Sequence, residues 1–264
     1  MQPGSLSTFG RIRPFTDGRT IYLPETIELF SSIDENESCF TVIAAIQAGF
    51  VRYGTFAFEE ARIDFLDDLR ARYGTTPAAI TDEVERQYGA AARTIRERAT
   101  GEIEAVFEGD RILPLLETEH EKHFFKYPTP DLIREIFAVV ERSRIEYRLR
   151  SRYSGYEEDI RKINTAIGKG FFSTGNRKTG LTGELESALR GLLYLSLGFH
   201  YPFEASPSTA RLDRFLEEAR NTISIVQQPD ATVYESARAS FELFNRLYDM
   251  YPVIPWCREN DVRD

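Results

Sequence analysis

Glu141 and the three histidines, His120, His123 and His200, are the side chains best suited to chemistry, and the first question is whether they can gather around a metal. Zinc hydrolysis on helices asks for two imidazoles one turn apart, a carboxylate base beside the first, and a third ligand from a later helix. In Ile46-Gln-Ala-Gly-Phe50-Val-Arg-Tyr-Gly-Thr-Phe56 those first three places are held by Ile46, Gln47 and Phe50. Neither an imidazole nor a carboxylate is among them. Only Glu141, in Val140-Glu-Arg-Ser-Arg-Ile-Glu-Tyr-Arg-Leu-Arg150, keeps a suitable group. The two segments therefore read as a metal site stripped of its ligands.

A relocated site is the rival. His120-Glu-Lys-His123 has a three-residue spacing that can chelate on a helix, with Glu119 adjacent, and Glu141 completes a His120, His123 and Glu141 set for a metal-dependent hydrolase. The run is polar, however, and Pro128 and Pro130 follow, so its plain reading is a solvated segment near a turn. His200 follows a helix end and needs no special role. Gly170 and Gly175 have phosphate-loop separation, but Asn176 and Arg177 stand where Lys and Ser or Thr are required and no strand precedes them, so nucleotide binding there is rejected. No Ser/His/Asp or Cys/His arrangement stands out, and Cys39 and Cys257, without a CxxC pair, read as reduced thiols.

The elements that must position Glu141 are helical. Ile133, Phe137, Glu141, Ile145 and Leu149 fall at four-residue intervals, which aims a carboxylate at the apolar face of a helix over 130–150. An unpaired buried charge costs several kcal/mol, so Glu141 needs a partner; Arg142, Arg144 or an arginine from another helix would make a structural ion pair. Arg144 and Glu146 are accordingly the interaction or structural candidates of this block. Val42, Ile43, Ile46, Phe50 and Tyr53 carry the same three-and-four spacing, which places Ile46 and Phe50 on a buried stripe ended by Gly54. Further helices are expected over 59–72, 77–99, 155–167, 182–197, 209–226 and 232–250, with a short β-like piece at 19–23. Residues 168–180 read as a glycine-rich surface loop, and residues 251–264 as a linker-like tail.

With 264 residues, 42% hydrophobic and 28% charged, the chain can bury a sizeable core. The fold expected is mainly α: a multi-helix single domain over 1–250 with a degenerate zincin-like core and at most a short β element near the N-terminus. A net charge of −9 argues against a nucleic-acid surface. No apolar run reaches the length of a membrane span and no secretion signal opens the chain, so a cytoplasmic location is expected, with no cofactor.

The motifs together resemble the amino-terminal region of NorD/CbbO-type proteins, which carry a von Willebrand factor A domain at their carboxyl end. The residues concerned are Tyr22-Leu-Pro-Glu25, Gln47-Ala-Gly49 followed by Tyr53-Gly-Thr-Phe56, and Ile136-Phe-Ala-Val-Val-Glu-Arg-Ser-Arg-Ile-Glu-Tyr-Arg148 followed by Tyr153-Ser-Gly155. Relatives often have histidines where Ile46 and Phe50 stand, and Glu-Asp-x-Arg-Ile-Asp where this chain has Glu141-Arg-Ser-Arg-Ile-Glu146. The resemblance covers about 20–160 of the chain. It implies a non-catalytic adaptor that works with a MoxR-type AAA+ ATPase to activate or remodel a client enzyme. The sequence given ends before any A domain, so recognition through that domain is not implied here.

Overall fold

The computed structural model describes residues 14–16, 18–27, 29–73, 119–124, 126–173, 181–199 and 209–251. Among them the chain is mainly α-helical, as the periodicity implies. Strands β1 (Phe15–Thr16) and β2 (Ile21–Tyr22) pair antiparallel, Phe15 opposite Tyr22; β2 falls in the β-like piece expected over 19–23, and β1 precedes it. The helices are α1 (Ile33–Arg52), α2 (Leu66–Tyr73), α3 (Glu119–Phe124), α4 (Pro130–Arg152), α5 (Gly155–Ser173), α6 (Leu181–Ser196), α7 (Ala210–Val226) and α8 (Val233–Met250). Single 3-10 turns cover Thr55–Ala57 and Glu60–Arg62.

The chain groups into two compact units: Met1–Thr55 with Glu135–Asp264, and Phe56–Arg134. In the first, α1 begins without a side-chain cap from Ser32; instead Asn36 accepts from the backbone N–H groups of Leu29 and Phe30 and donates to the Phe30 carbonyl. Asp34 and Glu35 in the first turn and Arg52 in the last match the helix dipole. Gly54, at φ 77°, turns the chain out of the helix through a conformation that a side chain resists. Helices α7 and α8 start on threonine caps, Thr209 accepting from the Leu212 N–H and Thr232 forming a capping box with Glu235. Close approach is set by glycines. A Cβ on Gly49 of α1 would stand 2.5 Å from Ile145 of α4, and one on Gly191 of α6 would run into Leu216 of α7.

Some expected elements shift. The helix expected over 59–72 is a 3-10 turn and then α2, broken around Ile63, Asp64 and Phe65, because Ile63 and Phe65 both point into the core and a continuous helix would turn one of them outward. Helix α5 runs on through Gly168-Lys-Gly-Phe-Phe-Ser173, which overturns the loop reading for those residues. The helix expected over 77–99, the remainder of the glycine loop at 174–180, His200, Cys257 and the tail after 251 lie outside the described residues. The stretch Ile33–Ala57 is long and apolar enough to cross a bilayer by length and composition, although its Cys39, Val42, Ile43 and Ile46 side chains are buried in the protein, as in an ordinary core helix.

Candidate functional site

The two segments singled out by sequence meet in the first unit. Gly49 lets α1 lie on Ile145 and Leu149 of α4, and the end of α1 then falls beside Glu141 and Arg144. Glu141 is 1% exposed. Arg144, one helical turn on, forks onto it: Nε donates to Oε2 at 2.8 Å and Nη2 to Oε1 at 2.5 Å. The Thr55 hydroxyl donates to the same Oε1. Every carboxylate oxygen of Glu141 is thus taken.

Arg144 has donors to spare, and it uses them on backbone. Nη2 also donates to the Tyr53 carbonyl at 3.1 Å, and Nη1 to the Ala231 carbonyl at 3.4 Å. The first is the exposed end of the α1 ladder, where a cation complements the dipole; the second lies in the α7–α8 turn. Arg148 adds a 2.6 Å bond to the same Ala231 carbonyl, and Gln227 donates to the Ser143 hydroxyl at 2.8 Å. The turn between α7 and α8 is therefore fastened to α4 at several points.

Glu146, also 1% exposed, is satisfied on another side of α4. Its Oε1 accepts from Arg142 Nε at 2.6 Å and its Oε2 from Asn164 Nδ2 of α5 at 2.8 Å. Asn164 reaches the Leu197 carbonyl at the end of α6, 3.5 Å away. Helix α4 is thus a polar hub inside an apolar unit: Glu141, Ser143, Arg144 and Glu146 are all buried. Each ion brought there loses hydration, and only near-complete hydrogen bonding makes the arrangement tolerable. Arg144 and Glu146 spend their hydrogen bonds on this chain's own helices.

Ile46 and Gln47 are buried and Phe50 is half-buried. Cys39, buried on the same helix, is a thiol that burial raises to about 11 against the pull of Arg142, a poor nucleophile.

The second unit holds a polar cluster around His123 whose other members, Glu60, Lys126 and Tyr127, the residue pattern did not single out. His123 is 2% exposed, which corrects the solvated reading at that residue, while Glu119 is exposed as that reading expects. Its Nδ1 lies 2.9 Å from Glu60 Oε1, and the Tyr127 hydroxyl lies 3.3 Å from its Nε2. Lys126 pairs with the other Glu60 oxygen. The rings of Phe58, Phe65 and Tyr127 enclose the imidazole at 5.5, 6.0 and 5.4 Å. Burial lowers the affinity of His123 for a proton despite the Glu60 bond. Burial would raise the Glu60 carboxyl, but hydrogen bonds from His123 and Lys126, with their charges, hold it at about 2. Tyr127 is pushed well above the ordinary phenol range by burial, then by Tyr73 and Glu60. The chain carboxylate–imidazole–phenol fixes His123 as the Nδ1–H tautomer, donating to Glu60 and accepting from Tyr127.

The signal for this cluster was present in His123-x-x-Lys126-Tyr127, whose residues lie about one turn apart, and in the apolar Phe124-Phe125 beside them. The relocated metal set divides between the units, His123 belonging to one and Glu141 to the other, while the side chain of His120 lies outside the described residues. Among the described residues no three His, Cys, Asp or Glu side chains are grouped to hold a metal ion. Comparison with protein-family models, with curated proteins and with solved structures finds no significant match to this chain.

Proposed function

We propose that the chain is a non-catalytic adaptor or scaffold module, with a degenerate zincin-like core, that works in the cytoplasm beside a MoxR-type AAA+ ATPase in activating or remodelling a client enzyme. The observation that carries this reading is the state of Glu141. It is the one residue in keeping with a zinc hydrolase's set, and its oxygens are bound by Arg144 and Thr55. A general base must offer a free lone pair to a water or a substrate proton, and a guanidinium fork removes that capacity. The likeness of the Gln47-Ala-Gly49 and Glu141-Arg-Ser-Arg-Ile-Glu146 segments to NorD/CbbO-type proteins supplies the ATPase and the client.

An adaptor contributes binding energy and breaks no covalent bond. What it needs is a surface that keeps its shape while a motor acts on a neighbour. The hub suits that requirement, since α4 ties the end of α1, the α7–α8 turn, α5 and the end of α6 through buried and part-buried hydrogen bonds. The test is direct: purified chain is mixed with a purified MoxR-type ATPase, and both complex formation and the ATPase rate are measured. A stable complex with an altered rate is expected. No complex and an unchanged rate would sink the reading, as would a stoichiometric metal bound to chain purified without chelator.

A further inference from the structure

Helix α1 is apolar on both sides. Between Ser38 and Tyr53 the one charged residue is Arg52, and less than half of the most apolar window is buried. A helix that is hydrophobic all round is normally covered all round. The inner face, Cys39, Val42, Ile43, Ile46 and Gly49, is packed inside the unit. On the opposite side Ile33, Phe40 and Val51 are 76%, 39% and 42% exposed. Ala44 and Ala48 fall between Phe40 and Val51 on the same line, at a helical advance of about 100° per residue. The result is a narrow seam: large at each end, small in the middle, where two backbones can come close.

The charges say what would cover it. Asp34, Glu35 and Glu37 lie at the amino end of α1 and Arg52, its sole cation, at the carboxyl end. Glu37 and Arg52 are exposed, flank the seam on one side, and have no ion-pair partner among the described residues. Such a helix complements itself when reversed. We propose that two copies of the chain associate through antiparallel α1 helices related by a two-fold axis between Ala44 and Ala48. Phe40 of each copy then lies opposite Val51 of the other, as an isologous interface requires. Like flanks meet in an antiparallel pair, so Glu37 of each copy comes within side-chain reach of Arg52 of the other, and the helix dipoles lie antiparallel. The helix would not span a bilayer, since its inner face is already buried in the protein.

The full chain is studied by sedimentation equilibrium over about 1 to 100 µM, the range in which an interface of modest size is populated. A concentration-dependent dimer is expected. Phe40→Glu places charge in the seam and should weaken the dimer about a hundredfold, while Arg52→Glu, on the exposed rim, should weaken it about tenfold. The double reversal Glu37→Arg with Arg52→Glu should restore the dimer to within about threefold of the original, which a general loss of folding would not do. A chain monomeric throughout overturns the proposal, and co-sedimentation of that monomer with phosphatidylcholine vesicles would assign the face to a membrane instead. A dimer unaffected by Phe40→Glu and Arg52→Glu overturns it as well.

Discussion

Glu141 in one unit and Glu60 in the other are both carboxylates held by cations, but they are held by different kinds of cation and to different depths. Glu141 is 1% exposed and is gripped by a guanidinium, which keeps its charge and offers a planar fork. Glu60 has a side chain 22% exposed and is shared between an imidazole, whose hold on a proton burial weakens, and an ammonium. The first arrangement fixes geometry and the second couples geometry to protons. The hub should therefore respond chiefly to substitution, and the His123 cluster chiefly to pH.

The largest effect expected is on the hub. Arg144→Leu leaves Glu141 buried with only the Thr55 hydroxyl and frees the Tyr53 and Ala231 carbonyls, so stability in urea should fall by about 3–5 kcal/mol. Gly49→Ala attacks the same junction from the apolar side. With Ile145 2.5 Å from the new methyl, overpacking should cost about 1–3 kcal/mol, and a larger residue there more. An unchanged midpoint for Gly49→Ala would show that α1 and α4 are not in contact at that point.

The second unit should answer to acid. In the fold His123 binds its proton more weakly than an ordinary histidine, whose value is 6.5, so the unfolded chain takes up protons first as the pH falls through that range. Stability should therefore decline below about pH 6.5, and again as the pH falls from 4.5 toward about 2, where Glu60 protonates in the fold. Hydrogen exchange of the α2 and α3 amides across that range would read both steps. His123→Phe should flatten the first step and shrink the second, since Lys126 alone is then left to hold the Glu60 carboxyl down, while the hub amides of α4 change less; equal loss in both units would erase the contrast. The smallest effect expected is Thr55→Val. It removes one of three donors to Glu141 while the arginine fork stays, and should cost about 1 kcal/mol by the same urea titration.

The same contrast explains what was legible in the sequence. The helix carrying Glu141 could be placed, and the carboxylate set on its inner face, because Ile133, Phe137, Ile145 and Leu149 repeat every four residues over a long span. Periodicity cannot say which arginine answers a buried carboxylate. Arg142 and Arg144 are both within a turn or so, and the structure gives Arg144 to Glu141 and Arg142 to Glu146. Thr55 and Asn164 were invisible for a related reason: each reaches its partner over a long separation in the chain. His123 failed differently. The charges of Glu119–Lys122 read as solvated, whereas α3 is only 6 residues long and its last two residues, His123 and Phe124, already belong to the core.

The central claim is that Glu141 and Arg144 are a coupled structural pair and Glu141 is not a free base. A double-mutant cycle measures that coupling most directly: Glu141→Leu, Arg144→Leu and the double variant, each unfolded in urea. Either single change strands a buried charge, and the double change strands none, so the double variant should be more stable than the sum of the singles implies by about 2–3 kcal/mol. Additive losses, with a coupling near zero, would contradict the account and leave Glu141 available for chemistry.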